Sequence, residues 1–124
     1  MRIWDISPEK LCRNHLLGEH RELHAIWSVL TKHKNGYSRH PETLRWKGKQ
    51  AALYSRHAKL VAEMGRRGYR HHSRLDLALA TGSRKQSVFI DSPARQREIL
   101  RKKGCACQVA EISRNNQESD NGRI

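Results

Sequence analysis

Glu22 lies in the stretch HLLGEHRELHAIWSVLTKHKNG, His15 to Gly36, directly after Arg21. Leu16, Leu23, Trp27 and Leu30 recur at helical spacing, while His15, Glu19, Glu22, Ile26, Val29 and His33 run along a neighbouring face. Glu22 thus borders the apolar stripe, one turn before Ile26, where a carboxylate is partly desolvated and suited to acid or base work. The partner that would make it reactive is the chain's own amine, on Met1. From Pro8 to Glu22 is about 21 Å of helix rise, and Met1 to Ser7, nearly extended, spans up to about 24 Å. The arm can therefore fold back along its helix and set the amine beside Glu22. A terminal amine titrates at about 7.7–8.0, and Arg2 and Arg21 disfavour its charged form. Amine and carboxylate together are the pair for Schiff-base chemistry on a sugar carbon. The plainer reading is that Glu22 forms a surface ion pair with a nearby Arg or Lys.

Metal chemistry is the weaker reading. His20 and His24 are one helical turn apart, as in a metalloprotease helix, but that motif needs Glu directly after the first His. Here Glu22 is two residues on, about 200° around the helix from His20, so the two histidines are expected to face solvent. Cys12, Cys105 and Cys107 make an odd set and read as free thiols. Cys105-x-Cys107 is tighter than the usual zinc pair spacing of roughly two to four intervening residues. No metal and no cofactor is expected.

These groups must be positioned by helices. Met1 to Ser7 has Ile3, Trp4 and Ile6 as anchors and no helical period, which predicts an extended arm lying on the rest of the chain. Ser7-Pro8 supplies a cap and a first-position proline, so a first helix is expected from Pro8 to about Lys34, ended by Asn35-Gly36. Tyr37 to Leu44 contains Pro41 and reads as a loop. A second helix follows from about Leu44 to Arg67, with Trp46, Leu53, His57, Leu60, Val61 and Met64 on one face and basic residues elsewhere; Gly68 closes it. Tyr69 to Asp91 reads as an irregular or short helical connection. Ser92-Pro93 opens a third helix, Pro93 to Lys103, stopped at Gly104. Beyond Cys107 the chain is polar, lacks aromatics and is expected to be disordered. The fold class is thus all-α: one compact domain over 1–107, three main helices with an N-terminal arm, then a flexible tail over 108–124.

At 124 residues and a net charge of +13, with a pI near 10.4, the chain is basic along most of its length. Nucleic acid is the default partner for such a domain. No apolar run approaches the roughly 20 residues a membrane span needs, and no signal-peptide core opens the chain. A cytoplasmic, nucleoid-associated monomer with no membrane partner is expected.

His15-Leu16-Leu17-Gly18-Glu19-His20-Arg21-Glu22-Leu23, followed by Lys32-His33 and Asn35-Gly36, resembles the pyrimidine-dimer DNA glycosylase family of the phage endonuclease V type. Leu60-Val61-Ala62-Glu63 with Arg67-Gly68-Tyr69 is similar to that family's second helix and its end. The resemblance covers about Met1 to His72, weakens over the third helix and is absent in the tail. It implies a three-helix fold whose N-terminal arm passes between helices. It implies an enzyme, a glycosylase with abasic-site lyase activity on double-stranded, ultraviolet-damaged DNA, in which the N-terminal amine attacks C1′, forms an imine and cleaves by β-elimination. Carried over, Met1 is the nucleophile and Glu22 the catalytic carboxylate. Arg21 matches the arginine that grips DNA at the lesion, and Asn14 and His15 fall at polar positions near the site. The phage member has Thr where this chain has Met1, an arginine expected one turn past Arg21 is replaced by Ala25, and the aromatic, basic C-terminal stretch is missing.

Further DNA contacts are expected from Arg2, from His24 in place of the missing arginine, and from Lys47, Lys49 and Arg56 on the second helix. The third helix adds Arg95, Arg97 and Arg101. Two alternatives stand beside the repair enzyme: a non-catalytic basic helical DNA- or RNA-binding protein, and a lyase that has lost dimer recognition.

Overall fold

The helical periodicities resolve into four α-helices and two short 3-10 turns, with no strand among the described residues. A computed structural model describes residues 2–70 and 73–109. The helices are α1 (Arg13–Lys32), α2 (Pro41–Trp46), α3 (Gln50–Arg66) and α4 (Pro93–Lys102). α1 turns Leu16, Leu23 and Ile26 to the interior, all fully buried, and α3 meets them with Leu53 and Leu60, equally buried. Residues spaced by seven and then three share one helical face, and each such side chain contributes about 1.5–3 kcal/mol by leaving water. Leu100 of α4 and Val109 beyond it close the same core, and the arm adds Ile3, Trp4 and Ile6.

The all-α expectation holds, but several boundaries differ for identifiable reasons. The expected first helix is broken: Pro8–Lys10 forms only a 3-10 turn, and α1 begins after Cys12. Leu11 between them is extended and buried, and its carbonyl accepts a 2.7 Å hydrogen bond from Arg67 Nη2. The other end stops short of Asn35-Gly36, because His33 takes the left-handed conformation, with φ 53°, and returns its N–H to the Val29 carbonyl. Pro41 does not sit in a loop. It occupies the first turn of α2, where its missing N–H costs nothing, and His40 caps that turn by accepting from Glu42 N–H.

The expected second helix is likewise two helices, parted at Lys47–Lys49. Gly48 has φ +76° there, a conformation that suits glycine. α3 has no side-chain cap. Instead Thr81 and Ser83 turn their carbonyls to Ala51 N–H (2.8 Å) and Ala52 N–H (3.1 Å), and Ser83 N–H returns to the Gly48 carbonyl at 2.9 Å. A neighbouring backbone segment thus satisfies the helix's first donors. Gly68 closes α3 and Gly104 follows α4, both at positive φ, and Ser92 caps α4 through its hydroxyl, as expected. The expected polar tail lies outside the described residues apart from Gln108 and Val109, and Val109 is buried in the core.

Candidate active site

Three consecutive residues of the arm are each held by a buried side chain from a different helix. Ile3 N–H donates to Glu42 Oε2 of α2 at 3.1 Å. The Trp4 backbone lies against the carboxylate of Glu19 on α1 and favours its charged form. Asp5 N–H donates to Gln96 Oε1 of α4 at 2.7 Å. Arg45 completes the clamp: its guanidinium reaches the Ile3 carbonyl at 2.9 Å and Asp5 Oδ2 at 3.0 Å, and pairs with Glu42. All four clamping side chains are buried, so the arm runs between helices with its backbone polar groups answered by side chains rather than by a ladder.

That clamp sets the next residue outward, Arg2, at a pocket of about 310 Å³ whose wall includes Trp4, Asn14, His15, Glu19, Glu22 and Lys103. Arg2 lies over the Trp4 ring, 4.9 Å from its centroid, and bonds Asp91 at 3.1 Å. Trp4 in turn meets His15 edge-on at 5.7 Å. Glu22 is half-buried and Asn14 exposed on α1, and Ile99 of α4 and Lys103 just after it complete the lining. Burial pulls His15 below the ordinary imidazole range, and Lys103 adds to the effect. Burial pushes the Glu19 carboxyl up, opposed by Arg56, whose Nε and Nη2 bond both its oxygens at 2.6 and 3.0 Å. A larger groove, about 810 Å³, opens beside α3, but the buried carboxylate on its wall, Glu63, is already engaged by Arg66 and Arg67. Two carboxylates, three cationic or imidazole groups and an indole on one wall make the smaller pocket the place where acid–base work on an anionic substrate is feasible.

The family model described as pyrimidine dimer DNA glycosylase matches residues 1–77. The chain belongs to that family. No curated protein and no solved structure matches it. As a pyrimidine dimer DNA glycosylase it is a DNA-repair enzyme with DNA as its substrate. No helix among the described residues is long and apolar enough to cross a membrane.

Of the sequence-derived site residues of this glycosylase, Arg2, Asn14, His15 and Glu22 share the pocket, while Met1 lies outside the described residues. Arg21 is exposed on α1 beside Glu22. Lys47 is exposed at the α2–α3 break, and Lys49 Nζ bonds Gln86 Oε1 at 2.8 Å. Arg95, Arg97 and Arg101 are exposed on α4, with Arg95 paired to Glu98. Two expectations need correction. Arg56 is not a solvent-facing phosphate ligand, because its guanidinium is spent on Glu19, which would otherwise be an unpaired buried charge. His24 does not face solvent either: its Nε2 stands 3.2 Å from His20 Nε2 and 3.1 Å from His57 Nε2, because α3 packs its buried His57 against that turn of α1. Sequence reading missed Glu19, Glu42, Arg45 and Gln96 as positioning residues. Charged and amide residues read as surface by default, and only the arm's need for backbone partners could have pointed to them.

Proposed function

We propose that the pocket is the active site of a glycosylase and abasic-site lyase acting on ultraviolet pyrimidine dimers, with the Met1 amine as nucleophile and Glu22 as acid and base. The observation that carries this is the clamp on Ile3, Trp4 and Asp5, together with Arg2 and Glu22 on one pocket wall. In this reading Met1 is the first residue, bonded directly to Arg2, whose side chain lines that wall. In this reading the amine nitrogen attacks C1′ of the damaged nucleotide, and the bond from C1′ to the base breaks, the base leaving with its electron pair. Glu22 takes the amine's proton and returns one to the opening ring oxygen, giving an imine at C1′. Removal of a C2′ proton then expels the 3′ phosphate. Arg2, Arg21, Asn14 and His15 would hold the strand at the lesion, and Lys47, Lys49, Arg95, Arg97 and Arg101 would contact phosphates farther along it. A damaged, poorly stacked nucleotide is the cheapest to open toward such a pocket.

Borohydride reduction during reaction with abasic duplex tests this. An imine on the terminal amine is expected to be trapped as a covalent protein–DNA adduct carried by the N-terminal peptide. No adduct would leave a DNA binder without this chemistry, and an adduct on a lysine peptide would move the nucleophile elsewhere. Incision of irradiated duplex alongside abasic duplex separates dimer recognition from lyase activity alone.

A further inference from the structure

Behind the pocket the fold assembles a second set of donor atoms from both ends of the domain. Cys12 and His15 stand one helical turn apart at the start of α1, and Cys105 and Cys107 come from the segment after α4. Their three Sγ atoms and a ring nitrogen of His15 all lie within 4.8 Å of one another. His15 Nδ1 is 3.1 Å from Cys12 Sγ and 3.3 Å from Cys107 Sγ, and Cys12 N–H donates to Cys107 Sγ at 3.1 Å. The three cysteines are half-buried free thiols.

We propose that Cys12, His15, Cys105 and Cys107 bind one zinc ion as a closed structural site, His15 through Nδ1, the nitrogen that faces the sulfurs, which leaves its Nε2 for the strand in the pocket. Three thiolates and one imidazole are a set that zinc takes in structural sites, and four protein ligands leave no position open for catalysis. Zinc bonds of about 2.3 Å to sulfur and 2.0–2.1 Å to nitrogen hold tetrahedral donors roughly 3.5–3.8 Å apart, so adjustments of about 1 Å or less in these separations seat the ion. The tight Cys105-x-Cys107 spacing is no obstacle here, since Gly104 at φ +69° turns the chain and both sulfurs reach the cluster. A disulfide would use two of the sulfurs and leave the third thiol and the imidazole aimed at the same point without a reason. On binding, the three thiols pass their protons to water, and three thiolates around a divalent ion leave the centre with one net negative charge, which the backbone N–H of Cys12 and the nearby Lys103 stabilise. The ion would tie residue 12 to residue 107, ninety-five positions on, and so fix the segment whose Gln108 N–H bonds the Lys10 carbonyl at 2.7 Å. Closing so long a loop is where a clip gains most.

Cobalt(II) titration of the metal-stripped full chain tests the site, with Cys107→Ser and His57→Gln alongside. The second variant removes a ligand from the nitrogen-only group His20, His24 and His57. The expected result is about one equivalent bound, with thiolate-to-cobalt charge-transfer absorption and the intense visible bands of a tetrahedral ion. Cys107→Ser is expected to weaken binding at least about tenfold, a loss that removing even a supporting partner of a ligand can cause, and His57→Gln is expected to leave it unchanged. Should Cys107→Ser fail to fold, the unaltered chain decides alone, because only sulfur ligands give that charge-transfer absorption. Its absence from the unaltered chain overturns the proposal, as does binding that survives Cys107→Ser and disappears with His57→Gln.

Discussion

Glu22 stands half-buried on α1 with Asn14 and His15 both about two turns behind it and Arg2 arriving from the arm. Among the described residues its carboxylate makes no buried ion pair of the kind that fixes Glu19 or Glu42, so removing its charge is expected to leave the packing intact. Glu22→Gln is expected to lower strand cleavage by about 10²–10⁴-fold, the usual worth of a positioned acid–base group, with DNA affinity nearly unchanged. Single-turnover cleavage beside a binding titration checks both halves, and near-normal cleavage would remove Glu22 from the mechanism. Arg56 behaves differently. Arg56→Met strands the Glu19 carboxylate in the interior, which costs on the order of 3–5 kcal/mol and should appear as a lowered Tm together with a loosened arm. The half-buried placement of Glu22 was legible in sequence because it sits at the edge of an apolar stripe. Glu19, Glu42 and Arg45 were not, because nothing in a charged residue's own neighbourhood says that a distant arm will bring it a partner.

Helix registers were legible for the same reason that they are stable: Leu16, Leu23 and Ile26 on α1 and Leu53 and Leu60 on α3 carry both the periodicity and the burial. The helix breaks were hidden, because each is imposed from elsewhere in the chain. Arg67 holds the Leu11 carbonyl, and the 81–83 segment caps α3. That second contact makes a sharp prediction about one element. A Cβ at Gly82 would stand 2.2 Å from the Gly48 carbonyl oxygen, at a φ of +82° that side chains rarely adopt. Gly82→Ala should therefore cost on the order of 3 kcal/mol, or a Tm lower by about 10 °C or more, as thermal unfolding would register. Gly36→Ala, which meets nothing within 4 Å, is the matched control. An unchanged Tm in Gly82→Ala would mean that the 81–83 segment is not seated on α3.

At the scale of the whole molecule, the net charge of +13 makes association with DNA a competition against salt. If about six phosphates are contacted, affinity should fall by roughly 10³-fold or more between 50 and 200 mM salt. Arg97→Ala should lower the slope of log affinity on log salt by about one while weakening all sequences alike. Binding isotherms at several salt concentrations decide this, and a flat dependence would exclude the exposed face of α4 as a phosphate track. Finally, the arm's hold on α4 bears on how much polypeptide the protein needs. The family-matched stretch stops at residue 77, yet Gln96, Leu100 and Val109 all lie inside the core. A fragment trimmed to the matched length would keep Glu22 and lose the α4 fastening that helps aim the arm at it, so the smallest autonomous folding unit is expected to be longer than the stretch by which the protein is recognised.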